Sequence, residues 1–387
     1  MPRPRAARTS VLLVIAAAVA LVPGAAGADP LAQARAAVGL ARTPEGMQAR
    51  YDAGRRLEVA LYAARRGCRA ELALARGLVR WAEGYDRPSV GLETAGQRLA
   101  RKALADLANP CRSSRISLPR SRRLPRVPPL LRAAAPRARV AQLDARFADL
   151  GRRFHGYAAI WVHDPFNGAY AGWNTDARFP AASAVKLGML LAALRQLRHP
   201  ERSSLDHELR TMIGWSSNLA TNRLVERFGA AAAQEALRRA GAYRSTFPGG
   251  YRVGTAHADV QDQPPFVTAR VTTARDLGRI LYILHGCALG NAAAVRATGL
   301  DTARCRYALR LLLSSEPRGD NVGLLRPFLP SETPVAQKNG WLHDARLTAA
   351  IVYFPNGPKI VVVLAYAPGL PVTRAKALGR DVIQALR

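Results

Sequence analysis

Lysine is scarce in this chain of 387 residues, although lysine and arginine together number 57. The five lysines are Lys102, Lys186, Lys338, Lys359 and Lys376. An arginine side chain keeps its proton in proteins whereas a buried lysine can lose it, so proton transfer by a basic amine is confined to these positions. The stretch FPAASAVKLGMLLAAL, residues 179–194, puts Lys186 three residues after Ser183 at the head of an apolar run. A desolvated lysine there can take a proton from a nearby hydroxyl.

Patterns typical of several other site classes are absent from the sequence. No C-x-x-C pair occurs and the seven histidines are scattered without ligand spacing, so we expect no metal and no cofactor. No G-x-S-x-G occurs, which argues against hydrolases that carry their serine on that turn. No internal repeat is apparent.

Acidic residues are also few: 27 carboxylates leave a net charge of +30. The chain begins with Arg3, Arg5 and Arg8, continues with the apolar segment SVLLVIAAAVALV and reaches the small-residue site Ala26-Gly27-Ala28. This pattern predicts a secretory signal at residues 1–28, with a retained membrane anchor as the alternative. For an exported protein, in the periplasm or outside the cell, we expect anionic envelope polymers rather than nucleic acid as counter-ions. Arginine-rich coding bias explains the charge equally well.

The four cysteines are even in number, which suits an oxidising compartment. Their positions suggest two local disulfides, Cys68–Cys111 and Cys287–Cys305. Sequence alone permits three connectivities.

Composition divides the rest of the chain into three parts. Residues 29–111 are rich in Ala, Leu and Arg, with Thr43 as a helix N-cap before Pro44, and predict a small helical bundle. Residues 112–139 carry many arginines and prolines and no carboxylate, which predicts an extended linker that can also contact an anionic polymer. Residues 140–387 have the pattern of one folded α/β unit, which we expect to be monomeric.

That unit has strands at both ends and helices between them. GYAAIWVHD and GAYAGW predict a hairpin, and VAQKNGWL, ARLTAAIVYF and KIVVVLAYA predict three further strands before a closing helix. This order predicts an α/β (α+β) fold, with one antiparallel sheet assembled from distant segments and packed by helices.

Three short stretches carry residues suited to acyl transfer. A helix beginning at about Pro180 would put Ser183 in its first turn and Lys186 one turn later, and its unpaired N–H groups would face a developing oxyanion. Ser216-Ser217-Asn218 offers a hydroxyl and an amide on a polar turn, although an ordinary N-cap before a helix at Leu219 explains it as well. Gln337-Lys338-Asn339-Gly340-Trp341 puts a lysine on a strand edge, where it can bind a carboxylate.

Ser183-x-x-Lys186, Ser216-x-Asn218 and Lys338-Asn339-Gly340, in this order, resemble the penicillin-recognising serine enzymes. The catalytic domain of the class A β-lactamases is the nearest version. The stretches FPAAS-x-x-K, MI-x-W-S-x-N-x-ATN and K-x-G-W-L carry this resemblance over roughly residues 140–387. It implies a sheet flanked by helices plus a helical subdomain, with the site in the cleft between them.

The resemblance also implies a role for each matched residue. Ser183 would be the acylated nucleophile, Lys186 its base and Ser216 the proton shuttle to the departing nitrogen. Asn218 would bind the substrate's amide, and Lys338 would orient its carboxylate. Asn339, Gly340 and Trp341 would line the substrate site, with the backbone N–H groups of Ser183 and Trp341 as the oxyanion hole.

The sequence departs from the family pattern at three places. Ser217 stands where the second motif usually has an aspartate that braces the turn, and Asn339 replaces a hydroxyl of the third motif. Between Ser216 and Lys338 there is no E-x-x-L-N, the class A motif whose glutamate activates the deacylating water. The corresponding stretch offers only Asp259 and Asp262 as carboxylates. We therefore expect ready acylation and slow deacylation.

Three functions fit these observations. The first is a secreted class A-type β-lactamase acting on small β-lactams. The second is a D-alanyl-D-alanine peptidase, or another amide or ester hydrolase, acting on peptidoglycan-like peptides; the missing glutamate favours it. The third is a degenerate cell-wall binding module, which the intact serines and lysines argue against.

Overall fold

The computed structural model describes residues 29–119, 123–128, 138–251, 269–316 and 319–387. The predicted signal at 1–28 and the carboxylates Asp259 and Asp262 lie outside the described residues. Within these ranges, no helix combines the length and apolar composition needed to cross a membrane.

The described helices lie mainly in two groups, before and after the first strands of the sheet. They are α1 (Pro30–Ala37), α2 (Pro44–Ala64), α3 (Arg69–Asp86), α4 (Val90–Asp106), α5 (Ala138–Arg153), α6 (Lys186–Gln196), α7 (Asp206–Gly214), α8 (Asn218–Phe228), α9 (Ala230–Arg239), α10 (Ala274–Ala288), α11 (Ala292–Thr298), α12 (Thr302–Leu313) and α13 (Val372–Leu386). The described strands are β1 (Arg66–Gly67), β2 (Ser114–Arg115), β3 (Tyr157–His163), β4 (Tyr170–Trp173), β5 (Phe179–Pro180), β6 (Val271–Thr272), β7 (Val335–Trp341), β8 (Ala345–Phe354) and β9 (Gly357–Tyr366).

The main sheet has five antiparallel strands in the order β4-β3-β9-β8-β7. Its first two strands and its last three come from opposite ends of the 140–387 segment, with α6 to α12 between them. The predicted α+β architecture is therefore confirmed. The strand β7 is an edge strand, so one side of its backbone is open to the helical part of the molecule.

Successive side chains of β3 point to opposite faces of the sheet, and each face packs in its own apolar core. Ile160 and Val162 pack with residues of α5 and α13 in one apolar core. Trp161 faces the other core, where a Cβ added to Gly278 of α10 would lie 2.1 Å from the indole ring. The sheet is thus covered on both faces. The other helices between β4 and β7, which together we call the helical subdomain, extend from the α10 side.

The N-terminal helices α1 to α4 form a compact group that packs on the helical subdomain. The helices α3 and α4 approach so closely that a Cβ on Gly96 would lie 2.2 Å from the backbone nitrogen of Trp81. The group contacts the subdomain through buried ion pairs, among them Arg55 with Glu208 of α7 at 2.7 Å.

Both predicted disulfides are present, Cys68–Cys111 and Cys287–Cys305. The first ties the start of α3 to the chain after α4. The segment just beyond it forms β2, which pairs with β1. The division at residues 112–139 into linker and flanking units stays a prediction.

Candidate active site

Ser183 lies on a tight turn between β5 and α6. The prediction of a helix from about Pro180 is wrong, because Phe179 and Pro180 pair with β6 and α6 begins at Lys186. Ala182 has φ 46°, a left-handed conformation that a helix cannot accommodate. Ser183 is half-buried, and its hydroxyl makes no hydrogen bond within the described part of the chain. It therefore stands free at the head of α6.

Lys186 is entirely buried at the first position of α6. Its Nζ donates to the carbonyl oxygen of Ser216 at 2.7 Å, to Asn218 Oδ1 at 2.7 Å and to the carbonyl oxygen of Ser217 at 3.3 Å. Burial holds the pKa of Lys186 well below its ordinary value, the charge of Lys338 lowers it further, and Asp86 opposes the shift. A neutral amine fills the two short bonds with its two hydrogens and keeps a lone pair for a proton.

Ser216 links the two buried lysines. It has φ 70°, an uncommon conformation for a residue with a side chain, and its backbone carbonyl points at Lys186. Its hydroxyl accepts a hydrogen bond from Lys338 Nζ at 2.8 Å. Burial lowers the pKa of Lys338 to about 7. The strained turn thus holds the Ser216 hydroxyl beside one lysine and its carbonyl beside the other.

The edge strand β7 passes directly against the Ser183 turn. A Cβ on Gly340 would lie 3.0 Å from the backbone nitrogen of Ala184. At the two ends of the β7–β8 pair, Leu342 N donates to Ala345 O and Tyr353 N donates to Pro334 O. Because the backbone direction alternates along a strand, the even-numbered residues of β7 direct their N–H groups toward β8. The N–H of Trp341 therefore points outward, toward the side on which Ser183 lies.

The two asparagines of the predicted site have different surroundings. Asn218, at the head of α8, contacts Lys186 directly. The buried side chain of Asn339 instead accepts from Thr348 Oγ1 at 2.8 Å and donates to the carbonyl oxygen of Asn321 at 2.6 Å. The structure therefore joins Lys186, Ser216, Asn218 and Lys338 in one network, and the side chain of Asn339 is not part of it.

Tyr251 and Arg270 were missed by the sequence reasoning. The Nζ of Lys186 lies 4.3 Å from the centroid of the Tyr251 ring, and the guanidinium carbon of Arg270 lies 3.8 Å from the same centroid. The Tyr251 hydroxyl donates to the carbonyl oxygen of Ala182 at 3.0 Å. Tyr251 thus covers Lys186 and supports the Ser183 turn. No motif spacing signals either residue, since both flank a segment of no regular pattern.

Asp86, the last residue of α3, was also missed. It is 9% exposed, and its Oδ2 accepts from Ser217 Oγ at 2.9 Å, from Asn218 N at 3.0 Å and from Leu219 N at 3.4 Å. Burial raises the pKa of Asp86 to about 6, while the charge of Lys186 and the hydrogen bond from Ser217 oppose the shift. Serine in the middle of the second motif was the available signal, because it leaves the turn without a carboxylate of its own.

One group of ligand-type side chains lies close enough together to hold a metal within the described residues: Cys68, Glu71 and Cys111. The two sulfurs are joined in a disulfide, and Glu71 accepts from the backbone N–H of Cys68. The two cysteines therefore form a covalent cross-link, and Glu71 caps the start of α3.

The β-lactamase enzyme family model matches residues 142–210 and 196–386. A β-lactamase from Sphaerobacter thermophilus is 21% identical, with a TM-score of 0.50 over 65% of this chain and 96% of its own. A β-lactamase from Xanthomonas campestris is 20% identical, with a TM-score of 0.52 over 64% of this chain and 97% of its own. A variant of PBP-A, solved as an acyl-enzyme complex with penicillin G, is 18% identical, with a TM-score of 0.52 over 64% and 97%. No curated protein matches the chain.

The family match begins in α5 and ends in α13, so it covers the sheet, the helical subdomain and all three sequence motifs, and leaves out α1 to α4. It spans more than half of the chain. The chain belongs to the β-lactamase enzyme family.

Proposed function

We propose that this protein is an exported serine hydrolase of the class A type, which opens β-lactam amides through an acyl-enzyme on Ser183. The observation that carries the proposal is the buried amine of Lys186, three residues from a free hydroxyl and bonded to the Ser216 turn. Burial favours the neutral amine, which is the form a base requires. Two disulfides suit the oxidising compartment that export implies.

In the proposed acylation, Lys186 Nζ takes the proton of the Ser183 hydroxyl as Oγ attacks the lactam carbonyl carbon. The carbonyl π electrons move to oxygen, where the N–H groups of Ser183 and Trp341 stabilise the negative charge. The outward direction of the Trp341 N–H and the close approach of β7 at Gly340 support this assignment.

Collapse of the tetrahedral intermediate breaks the lactam C–N bond. The nitrogen takes the proton of the Ser216 hydroxyl, which regains one from protonated Lys186, so Lys186 returns to its neutral state. Lys338, bonded to Ser216, stabilises the transient alkoxide and binds the carboxylate of the substrate. Asn218 holds the substrate's amide, while the Asn339 side chain supports the strand from its other bonds.

We further propose that the acyl-enzyme is hydrolysed slowly, because the sequence has no E-x-x-L-N motif to supply the deacylating base. Incubation with a penicillin should add its mass to the protein, and the adduct should persist. Intact-protein mass spectrometry measures this, with Ser183→Ala as the control that must stay unmodified. Rapid turnover of a chromogenic cephalosporin with no accumulating adduct would contradict slow deacylation. The absence of both labelling and turnover would contradict the proposed hydrolase function itself.

The second candidate is a D-alanyl-D-alanine peptidase, which the same missing motif favours. Acylation by a penicillin fits both functions, so the discriminating substrate is a peptide ending in D-Ala-D-Ala. Release of D-alanine that is lost in Ser183→Ala would support the peptidase. A β-lactamase would instead clear penicillin over repeated turnovers and confer antibiotic resistance.

A further inference from the structure

We propose that Asp86 is a positioning residue of this site: the N-terminal helices supply the carboxylate that holds the Ser216–Asn218 turn in its working conformation. The inference rests on the proposed function, which gives that turn its role. It assigns a function to α1–α4, which lie outside the segment matched by the family.

The carboxylate of Asp86 receives three donors from one turn. Ser217 Oγ, Asn218 N and Leu219 N all converge on the same oxygen, Oδ2, at 2.9, 3.0 and 3.4 Å. Two of these donors are backbone N–H groups in the first turn of α8, where a negative charge is stabilised by the helix dipole. Asp86 thus completes the cap of α8 from another part of the molecule.

These bonds fix the direction of the groups that face Lys186. Because the Ser217 hydroxyl donates its hydrogen to Asp86, it accepts from Ala220 N at 3.1 Å and serves as the N-cap of α8. The carbonyls of Ser216 and Ser217 then point toward Lys186 Nζ. Without the carboxylate, the hydroxyl and both N–H groups lose their acceptor in a buried place, and the turn is free to reorient.

Asp86 is held in place by its own helix and by its neighbours. On α3, Glu83 Oε1 accepts from His207 Nε2 of α7 at 2.7 Å. On α2, Gln48 donates to the carbonyl oxygen of Leu219 at 3.3 Å and accepts from Asn222 at 3.0 Å. The N-terminal helices therefore meet α7 and α8 on both sides of the turn, and the carboxylate arrives with little freedom.

Four variants test the proposal by the second-order rate constant of acylation with a penicillin. Asp86→Ala should lower it by about 100-fold, since small misplacements of a catalytic group have effects of that order. Asp86→Asn keeps the shape of the side chain and one acceptor oxygen, and should lower the rate constant less than Asp86→Ala does. Asp86→Ala combined with Ser217→Asp returns a carboxylate to the turn from within the motif and should recover much of the loss. Glu226→Gln also removes a carboxylate, from the exposed ion pair with Arg56 that joins α8 to α2 at 2.9 Å, and should leave the rate unchanged.

A second readout does not depend on acylation. With only five lysines in the chain, ¹³Cε-lysine labelling allows each amine to be titrated by NMR. The groups that act on Lys186 are Lys338, Arg270 and Asp86, with the Tyr251 ring over the amine. Asp86→Asn removes the negative charge, so the pKa of Lys186 should move further down, while Glu226→Gln should leave that pKa unchanged.

The outcomes separate the two proposals. If the wild type forms no adduct, the proposed function fails, and the lysine titration still decides whether Asp86 acts on Lys186. If the wild type is acylated and Asp86→Ala reacts at the same rate, or the Lys186 titration is the same in Asp86→Asn, the positioning role is overturned. Equal losses of rate in Asp86→Ala and in Glu226→Gln would mean a general effect of the interface and would overturn the positioning role too.

Discussion

At the scale of single residues, the lysines of this protein divide sharply by their surroundings. Lys186 and Lys338 are both 0% exposed, and each is bonded to the Ser216 turn. Burial lowers the pKa of both amines. In a chain that uses arginine at nearly all its basic positions, lysine therefore occupies the two places where a guanidinium would remain charged and a lysine can become neutral.

Replacing Lys186 by arginine tests this point directly. Lys186→Arg keeps a positive side chain but cannot take the proton of Ser183, so acylation should slow by about 1,000-fold, within the range of general-base effects. Penicillin adducts counted by mass spectrometry over time give the rate. Lys102→Arg, an exposed change of the same kind, serves as the control. A rate within a few-fold of wild type in Lys186→Arg would remove Lys186 from the role of base.

Lys338 should make stability depend on pH. Its pKa falls from 10.5 to about 7 in the folded protein. Between these values the unfolded chain binds a proton that the folded chain does not, so the free energy of unfolding should rise with pH, by up to about 1.4 kcal/mol per unit. The gain is complete above pH 10.5 and is lost as the pH falls through about 7.

Urea unfolding of the wild type and of Lys338→Met at a series of pH values from 7 to 10 measures this effect. The methionine has similar volume and no charge, so the stability of this variant should lack the rise, and the difference in free energy of unfolding between the two proteins should change with pH. Curves that stay parallel across the range would contradict the burial-driven shift.

At the scale of elements, the site depends on one edge strand lying against one turn. Gly340 allows this contact, because a Cβ there would lie 3.0 Å from Ala184 N and 3.1 Å from Ala181 O, both backbone atoms. β7 and the Ser183 turn belong to segments far apart in the sequence. Their approach sets how far the Ser183 hydroxyl lies from the Trp341 N–H.

Gly340→Ala should push the turn away from β7. We expect a loss of stability of about 1–3 kcal/mol, as for other overpacked sites, together with slower acylation. Gly91→Ala on α4, where an added Cβ meets nothing within 4 Å, should instead be neutral or stabilising, by up to about 1 kcal/mol. Thermal unfolding and adduct formation measure the pair, and unchanged acylation in Gly340→Ala would show that the close contact does not set the site.

Elements with a strong local signal were predictable from the sequence. The hairpin of β3 and β4, the strands β7 to β9 and the closing helix follow from alternation and turn residues, and both disulfides from spacing. The start of α6 was not predictable, because Pro180 is also a good first helical residue and its pairing with β6 is long-range. Asp86 could not be assigned either, since nothing local marks a carboxylate that acts on a turn 131 residues later.

At the scale of the whole molecule, a buried ionic network joins the N-terminal helices to the subdomain. Glu208 of α7 is fully buried and pairs with Arg55 at 2.7 Å and with Arg223 at 3.2 Å. Its pKa is lowered, because these cations outweigh the effect of burial. We therefore expect the N-terminal helices and the subdomain to unfold together.

Arg55→Met should expose this dependence. Removing one cation leaves part of the charge of Glu208 uncompensated, which costs about 3–5 kcal/mol in comparable buried pairs. Arg56→Met, at the next position, breaks an exposed pair with Glu226 and should cost less than about 1 kcal/mol. Calorimetry should show one transition for each protein, shifted down in Arg55→Met; two separate transitions in the wild type would contradict joint unfolding.

The boundary of the family match has a practical meaning for this molecule. A chain that began at residue 142 would retain Ser183, Lys186, Ser216 and Lys338, and would contain all three sequence motifs. It would nevertheless begin 56 residues after Asp86, and the Ser217 hydroxyl and the first N–H groups of α8 would have no carboxylate to bond. For this protein, the unit defined by homology is smaller than the unit that builds the candidate site.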